Sequence, residues 1–235
     1  MRTFRDRLLA TLHAAEPVLR VPGVLVVGSE VPNLLEPGAA ATLVVSQHVD
    51  LAIPVDVHES VKERLEHIVG LEPSPDEPSV WVPRAGRADL IELNFLGLDP
   101  AIVDPMDSYE KPDDRLPLIV FGPLSLLSPG DSLEIDGLHV PMARPSGLVV
   151  EKLVTDRSGE KGDRDLLVVA GLLPHMSEDE IGHVIALIRG LAPELRHAIR
   201  SNLTILSLLE TRPSMPDPRL VREVLARLLA QLEER

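Results

Sequence analysis

The chain has 235 residues, 37 Asp and Glu against 23 Lys and Arg, a formal net charge of −14 and no cysteine. That length suits one globular domain, or one domain with a helical appendage, and buries a full core without disulfides. The missing thiols exclude thiolate catalysis, iron–sulfur clusters and Cys-based zinc sites, and the acidic balance opposes duplex nucleic acid or long single strands, whose affinity comes from clustered Lys and Arg. Five aromatic residues (Phe4, Trp81, Phe95, Tyr109, Phe121) are too few for a base-stacking platform. Small molecules or proteins are the expected partners. Net charge does not report where charges sit, so a local basic groove stays compatible with it. The apolar run over 116–127 is cut by Pro117, Gly122 and Pro123, so no membrane span is expected. Residues 1–20 lack the apolar stretch of a secretory signal, and the expected location is the cytoplasm.

In chain order, Phe4, Leu8 and Leu12 make one helical stripe capped by Thr3. Residues 24–27 and 43–53 read as buried strands. Asp56 and Glu59 have capping-box spacing ahead of Val61, Leu65, Ile68 and Val69, predicting a helix that ends at Gly70. The Pro-rich acidic stretch 72–78 reads as loop, 79–82 and 89–96 as a strand pair, and 104–115 as an exposed loop. Short strands are expected over 116–121, 132–135 and 139–141, with Asp136-Gly137 as a hairpin turn. Residues 1–145 thus read as an α/β (α+β) domain and 146–235 as a helical C-terminal region. Its helices are expected over 148–154 and 163–173, at the Ser177/Glu180 capping box, after Pro193, and after Asp217-Pro218. The last helix carries Leu220, Val221, Val224, Leu225, Leu228, Leu229 and Leu232. Such a stripe must be covered, either by this chain or by a protein partner or second copy.

The most informative chemistry is Gly28-Ser29 at a strand end, Asp50 on the next strand, and Glu92 or Asn94 on a later one. A Gly-Ser turn lets the backbone approach a phosphate, and acids on neighbouring strands can hold Mg²⁺ against it. The stretches 26–29 (Val-Val-Gly-Ser) and 46–51 (Ser-Gln-His-Val-Asp-Leu) resemble the Gly-Ser … Asp-x-Asp signature of the polymerase-beta-like nucleotidyltransferase superfamily. A second block, Lys152 … Arg157 … Lys161-Gly162-Asp163-Arg164-Asp165-Leu166, is similar to helices of the abortive-infection toxin type of these enzymes. The resemblance covers roughly residues 25–173. It implies a mixed sheet flanked by helices, transfer of a nucleotide from a nucleoside triphosphate to a hydroxyl acceptor, and Mg²⁺ or Mn²⁺ as cofactor. It further implies toxin-like RNA or protein acceptors, or an antitoxin partner. Carried over, Gly28, Ser29, Lys152 and Asp165 are nucleotide-binding candidates, with Lys161 and Asp163 weaker. Asp50 and Glu92 are the catalytic candidates; His48, Asp50 and Glu92 are the metal candidates.

The sequence departs from the signature where the family has its first Asp and this chain has His48, and the third acid is Glu92 in one register and lost to Asn94 in the other. Imidazole ligates Mn²⁺ or Zn²⁺ but is a poor Mg²⁺ ligand, so the chain either uses one ion or a different one, or keeps the fold as a degenerate protein that binds a nucleotide or another protein. Each residue also has a plainer role. Gly28-Ser29 can be a capped turn, Asp50 a water-facing carboxylate, His48 its hydrogen-bonded neighbour, Lys152 a snorkelling lysine, 157–165 a solvated charged loop, and Asp56 a helix cap. No Gly-x-Gly-x-x-Gly, P-loop, zincin or nucleophile-elbow motif occurs.

Overall fold

The structure is a computed structural model that describes residues 3–36, 48–154, 160–210 and 217–233. Ser46, Gln47, Arg157 and the side chains of Lys161 and Asp163 lie outside the described residues. The chain forms two compact units, one of Met1–Glu30 with Ser46–Ala143 and one of Val31–Val45 with Arg144–Arg235.

In the first unit, α1 (Phe4–Ala14) opens at Thr3, whose hydroxyl accepts from the Asp6 amide while the Asp6 carboxylate accepts from the Thr3 amide. The expected cap is thus a reciprocal box. A single-turn α2 (Glu16–Leu19) leads to β1 (Leu25–Val27), and a 3-10 turn at Gly28–Glu30 passes the chain to α3 (Val31–Leu35) of the second unit. β2 (His48–Pro54) pairs antiparallel with β1. α4 (His58–Arg64) starts after Val57 with no side-chain cap, so Asp56 does not cap it. The Glu59 carboxylate is drawn instead to the Lys62 ammonium at 2.8 Å, because a charged partner outcompetes a neutral amide.

Then follow β3 (Leu71–Pro73), β4 (Val80–Pro83), β5 (Glu92–Leu98), β6 (Tyr109–Lys111) and β7 (Leu118–Val120), and a separate hairpin of β8 (Leu133–Ile135) and β9 (Leu138–Val140). The hairpin turns at Asp136 (φ 51°) and Gly137 (φ 78°), the paired left-handed conformation of a two-residue loop. β3 and β6 fall where loops were expected. β6 is exposed or half-exposed throughout and pairs only with β7; a polar edge strand carries no alternating apolar signal. The seven-stranded mixed sheet runs β1-β2-β5-β4-β3, with β7 joining the far end of β5 and β6 joining β7. β2 and β5 are parallel and fill the middle, burying Val49, Leu51, Leu93 and Phe95. From α1, the Thr11 hydroxyl accepts from the Ile91 amide at 2.9 Å and the Arg7 guanidinium donates to the Leu90 carbonyl at 2.9 Å, pinning the entry to β5.

The second unit gathers α3 with α5 (Pro145–Val154), α6 (Glu160–Leu172), α7 (Glu178–Gly190), α8 (Pro193–Leu208) and α9 (Arg222–Glu233). Here α3 packs on α6 and buries Val31 and Leu34. Residues 31–36 therefore belong to the helical unit. Ser177 caps α7, accepting from the Glu180 amide, but the Glu180 carboxylate does not close the expected box. It accepts from Arg144 at 2.6 and 2.9 Å and from the Ser146 amide at 3.1 Å, and so caps the start of α5. Burial alone would raise the Glu180 carboxyl; the Ser146 hydroxyl and the Arg144 guanidinium outweigh it and hold the group below its ordinary value. The α9 region buries Val221, Leu225 and Leu228 inside this unit, while Leu220 is 79% exposed. The seam is the i, i+4, i+7 set alone. No helix among the described residues is long and apolar enough to cross a membrane.

Candidate functional site

The ends of β1, β2 and β5 place the candidate residues of the first unit on one surface of the sheet. Along β2 the buried Val49 and Leu51 alternate with half-exposed His48 and Asp50, and along β5 the buried Leu93 and Phe95 alternate with half-exposed Glu92 and Asn94. The parallel register sets His48 level with Glu92, and Asp50 level with Asn94. The neighbour of Asp50 is thus the amide and not the acid. Asn94 Nδ2 donates to Asp50 Oδ1 at 3.1 Å, and His48 Nε2 lies 3.6 Å from that same oxygen. Asn94 Oδ1 is buried and has no hydrogen-bond partner among the described residues.

On the other side of β2, Val27 stands opposite Asp50, and Gly28 follows at φ +82°. A Cβ added there would collide with the Asp50 carboxylate. Two independent requirements, a left-handed backbone and empty space beside a carboxylate, therefore reserve the position for glycine. Ser29 is 8% exposed and Glu30 only 1%. Glu30, which the motif reading passed over, puts a buried acidic side chain into the same turn.

His48, Asp50 and Glu92 are thus neighbours by register, but their ligand atoms are not gathered into one cluster. Among the described residues the ligand-type side chains that do converge, within 4.8 Å, are His58, Glu59 and Asp113. That cluster already holds a cation. Lys62 Nζ lies 2.6 Å from Asp113 and 2.8 Å from Glu59, and His58 Nε2 is 2.8 Å from the Leu116 carbonyl oxygen. The Lys62 hydrogen bond, with help from the amides of Leu116 and Arg115, holds the Asp113 carboxyl well below its ordinary range. Asp113, then Glu59, raises the Lys62 ammonium in turn.

In the second unit, Lys152 and Asp165 come together as the motif grouped them, with a third member that the sequence reading missed. Lys152 Nζ is 3.1 Å from Glu151 and 3.7 Å from Asp165, and the three side chains are 10%, 5% and 8% exposed. Lys152 does not snorkel. Its ammonium is shared between two buried carboxylates, and the triad carries a formal charge of −1. The available signal was two adjacent charges inside the apolar run 148–154, where each must be neutralised by a partner. A Ser-His contact also exists, Ser146 Oγ to His183 Nδ1 at 2.9 Å. Ser146 is fully buried in the first turn of α5, so no substrate reaches it as a nucleophile.

The chain matches no protein-family model and no curated protein. Among solved structures it is similar to a crystal structure of an antigenic nucleotidyltransferase-like protein from Paracoccidioides brasiliensis, at 13% identity over 84% of this chain and 94% of that chain, with a TM-score of 0.42. A likeness of that size assigns neither a family nor an activity to this chain.

Proposed function

We propose that this chain is a nucleotidyltransferase-like protein that takes a nucleoside triphosphate and one divalent ion at Gly28, Ser29, His48 and Asp50. The observation that carries the reading is the steric fit of Gly28 to Asp50: a bare backbone turn at a strand end, held against a carboxylate on the neighbouring strand, is what phosphate and a bridging cation require. The donors fit one ion and not two. An imidazole and a carboxylate 3.6 Å apart suit Mn²⁺ better than Mg²⁺. When bound, the ion supplies charge neutralisation at the phosphates. In the active form of this reading, an acceptor hydroxyl oxygen bonds to the α-phosphorus, the bond to the bridging oxygen breaks, and pyrophosphate leaves. The hydroxyl proton passes to a carboxylate of the site, for which Glu92 and Asp50 are the candidates. The acceptor class extends to RNA or protein, in a toxin–antitoxin setting, through the sequence resemblance alone.

A second reading, nucleotide binding without transfer, is favoured by one observation: Asn94 donates to Asp50 at the position level with it, where a transferase would use another acid. Calorimetric titration of the four nucleoside triphosphates with Mn²⁺ and with Mg²⁺, into wild type and Asp50→Ala, tests the shared site. Mn²⁺-dependent binding lost in Asp50→Ala is the expected result, and absence of binding by wild type sinks both readings. His48→Asp then separates them, since a gain of nucleotide transfer marks an inherited site that has lost its acid.

A further inference from the structure

Far from these residues in sequence, the second unit carries a small pocket of about 240 Å³ that is open to solvent, lined by exposed Arg189, Pro193, Arg196, His197, Arg200 and Gln231 and by half-buried Leu232. We propose that this cavity is a binding site for a single phosphate group, either a free phosphate or pyrophosphate ion or a phosphate monoester.

Three guanidiniums and an imidazole share the cavity, and no Asp or Glu lines it, in a chain whose formal charge is −14. Arg196 and Arg200 stand four residues apart on α8 and so point from one face; Arg189 comes from the last turn of α7. Like charges lining one small pocket repel, and an anion seated among them relieves that cost. Two of the three have partial engagements. Arg189 Nη2 donates to the Gln231 carbonyl at 3.1 Å, and Arg200 pairs with Glu233 beside the cavity. Each guanidinium has five N–H donors in a fixed fork, so most of the donor capacity stays available. The side chains of Arg196 and His197 make no hydrogen bond or ion pair with other described residues.

Size and charge narrow the ligand. At about 240 Å³ and open to solvent, the pocket holds a phosphate group and leaves the rest of a monoester outside. The net charge of −14 opposes long tracts of nucleic acid as occupants. Planar forks that match phosphate oxygens two at a time favour phosphate over a halide.

This inference is independent of the nucleotide site at Asp50, and its test keeps the two apart. Inorganic phosphate and pyrophosphate are titrated calorimetrically into full-length wild type, Arg196→Ala and Asp50→Ala at constant ionic strength without divalent ions. AMP and adenosine form a second arm. The expected result is saturable one-site binding by wild type, weakened about tenfold or more in Arg196→Ala and unchanged in Asp50→Ala. AMP competing with phosphate, while adenosine does not, extends the site to monoesters; phosphate bound with AMP excluded assigns it to the free ion. Absence of saturable binding, equal binding by Arg196→Ala, or loss in Asp50→Ala overturns the proposal.

Discussion

Gly28 and Asp50 occupy space that only a glycine leaves open: the Asp50 carboxylate sits where a Gly28 side chain would begin, and the Gly28 backbone is at φ +82°. The turn at the end of β1 and the acid in β2 are therefore one unit of structure, and each limits what the other can be.

Gly28→Ala should lower stability by about 1–3 kcal/mol, from left-handed strain plus the displaced carboxylate. In urea unfolding, adding Asp50→Ala to Gly28→Ala should recover the steric part and leave the backbone part. Strict additivity of the two substitutions would show that they do not meet.

The Lys62–Asp113 pair makes stability depend on pH at both extremes. The Lys62 hydrogen bond puts the folded-state Asp113 value below its unfolded one, so its contribution is complete above the ordinary carboxylate range and lost as pH falls through the folded value. Lys62, raised mainly by Asp113, contributes fully below the ordinary lysine range and loses that contribution as pH rises through its raised value. The denaturation midpoint of Asp113→Asn should lie below wild type by a constant amount between about pH 5 and 9, and the gap should close towards both extremes. A gap that persists unchanged at about pH 2 would count against the pairing.

Removing the Lys152 ammonium leaves Glu151 and Asp165 buried together without it. Lys152→Met should cost about 3–5 kcal/mol in urea unfolding, and Lys152→Met/Asp165→Asn should recover part of that by removing one of the two negative charges. A single variant within about 0.5 kcal/mol of wild type would mean that the ammonium does not hold the two acids.

Local rules carried the reading of the sequence where the deciding partners are close in sequence. Thr3 caps α1 through Asp6, three residues away, and Asp136-Gly137 turns a hairpin whose strands adjoin it. They failed where a charged group competes for the acid, near in sequence or far. Glu59 and Glu180 have capping-box spacing, but one is taken by Lys62 and the other by Arg144 and the Ser146 amide. The candidate site was legible as residues and not as register: Gly28, His48, Asp50 and Glu92 are candidates from motif and alternation, while the placement of Asn94 level with Asp50 follows from a parallel pairing that no local signal encodes. The arginine cavity was hidden by the summed charge, although the i, i+4 spacing of Arg196 and Arg200 was open to view.

The parallel pairing of β2 with β5 also sets when the site exists during folding. Asp50 and Asn94 are separated by 44 residues, and between their strands the chain must lay down α4, β3 and β4 before the crossover closes. Contacts of such long range carry the entropy of loop closure, so the arrangement around Asp50 is expected to form late in folding. A ligand at the proposed site would then be expected to slow unfolding and leave the refolding rate as it was.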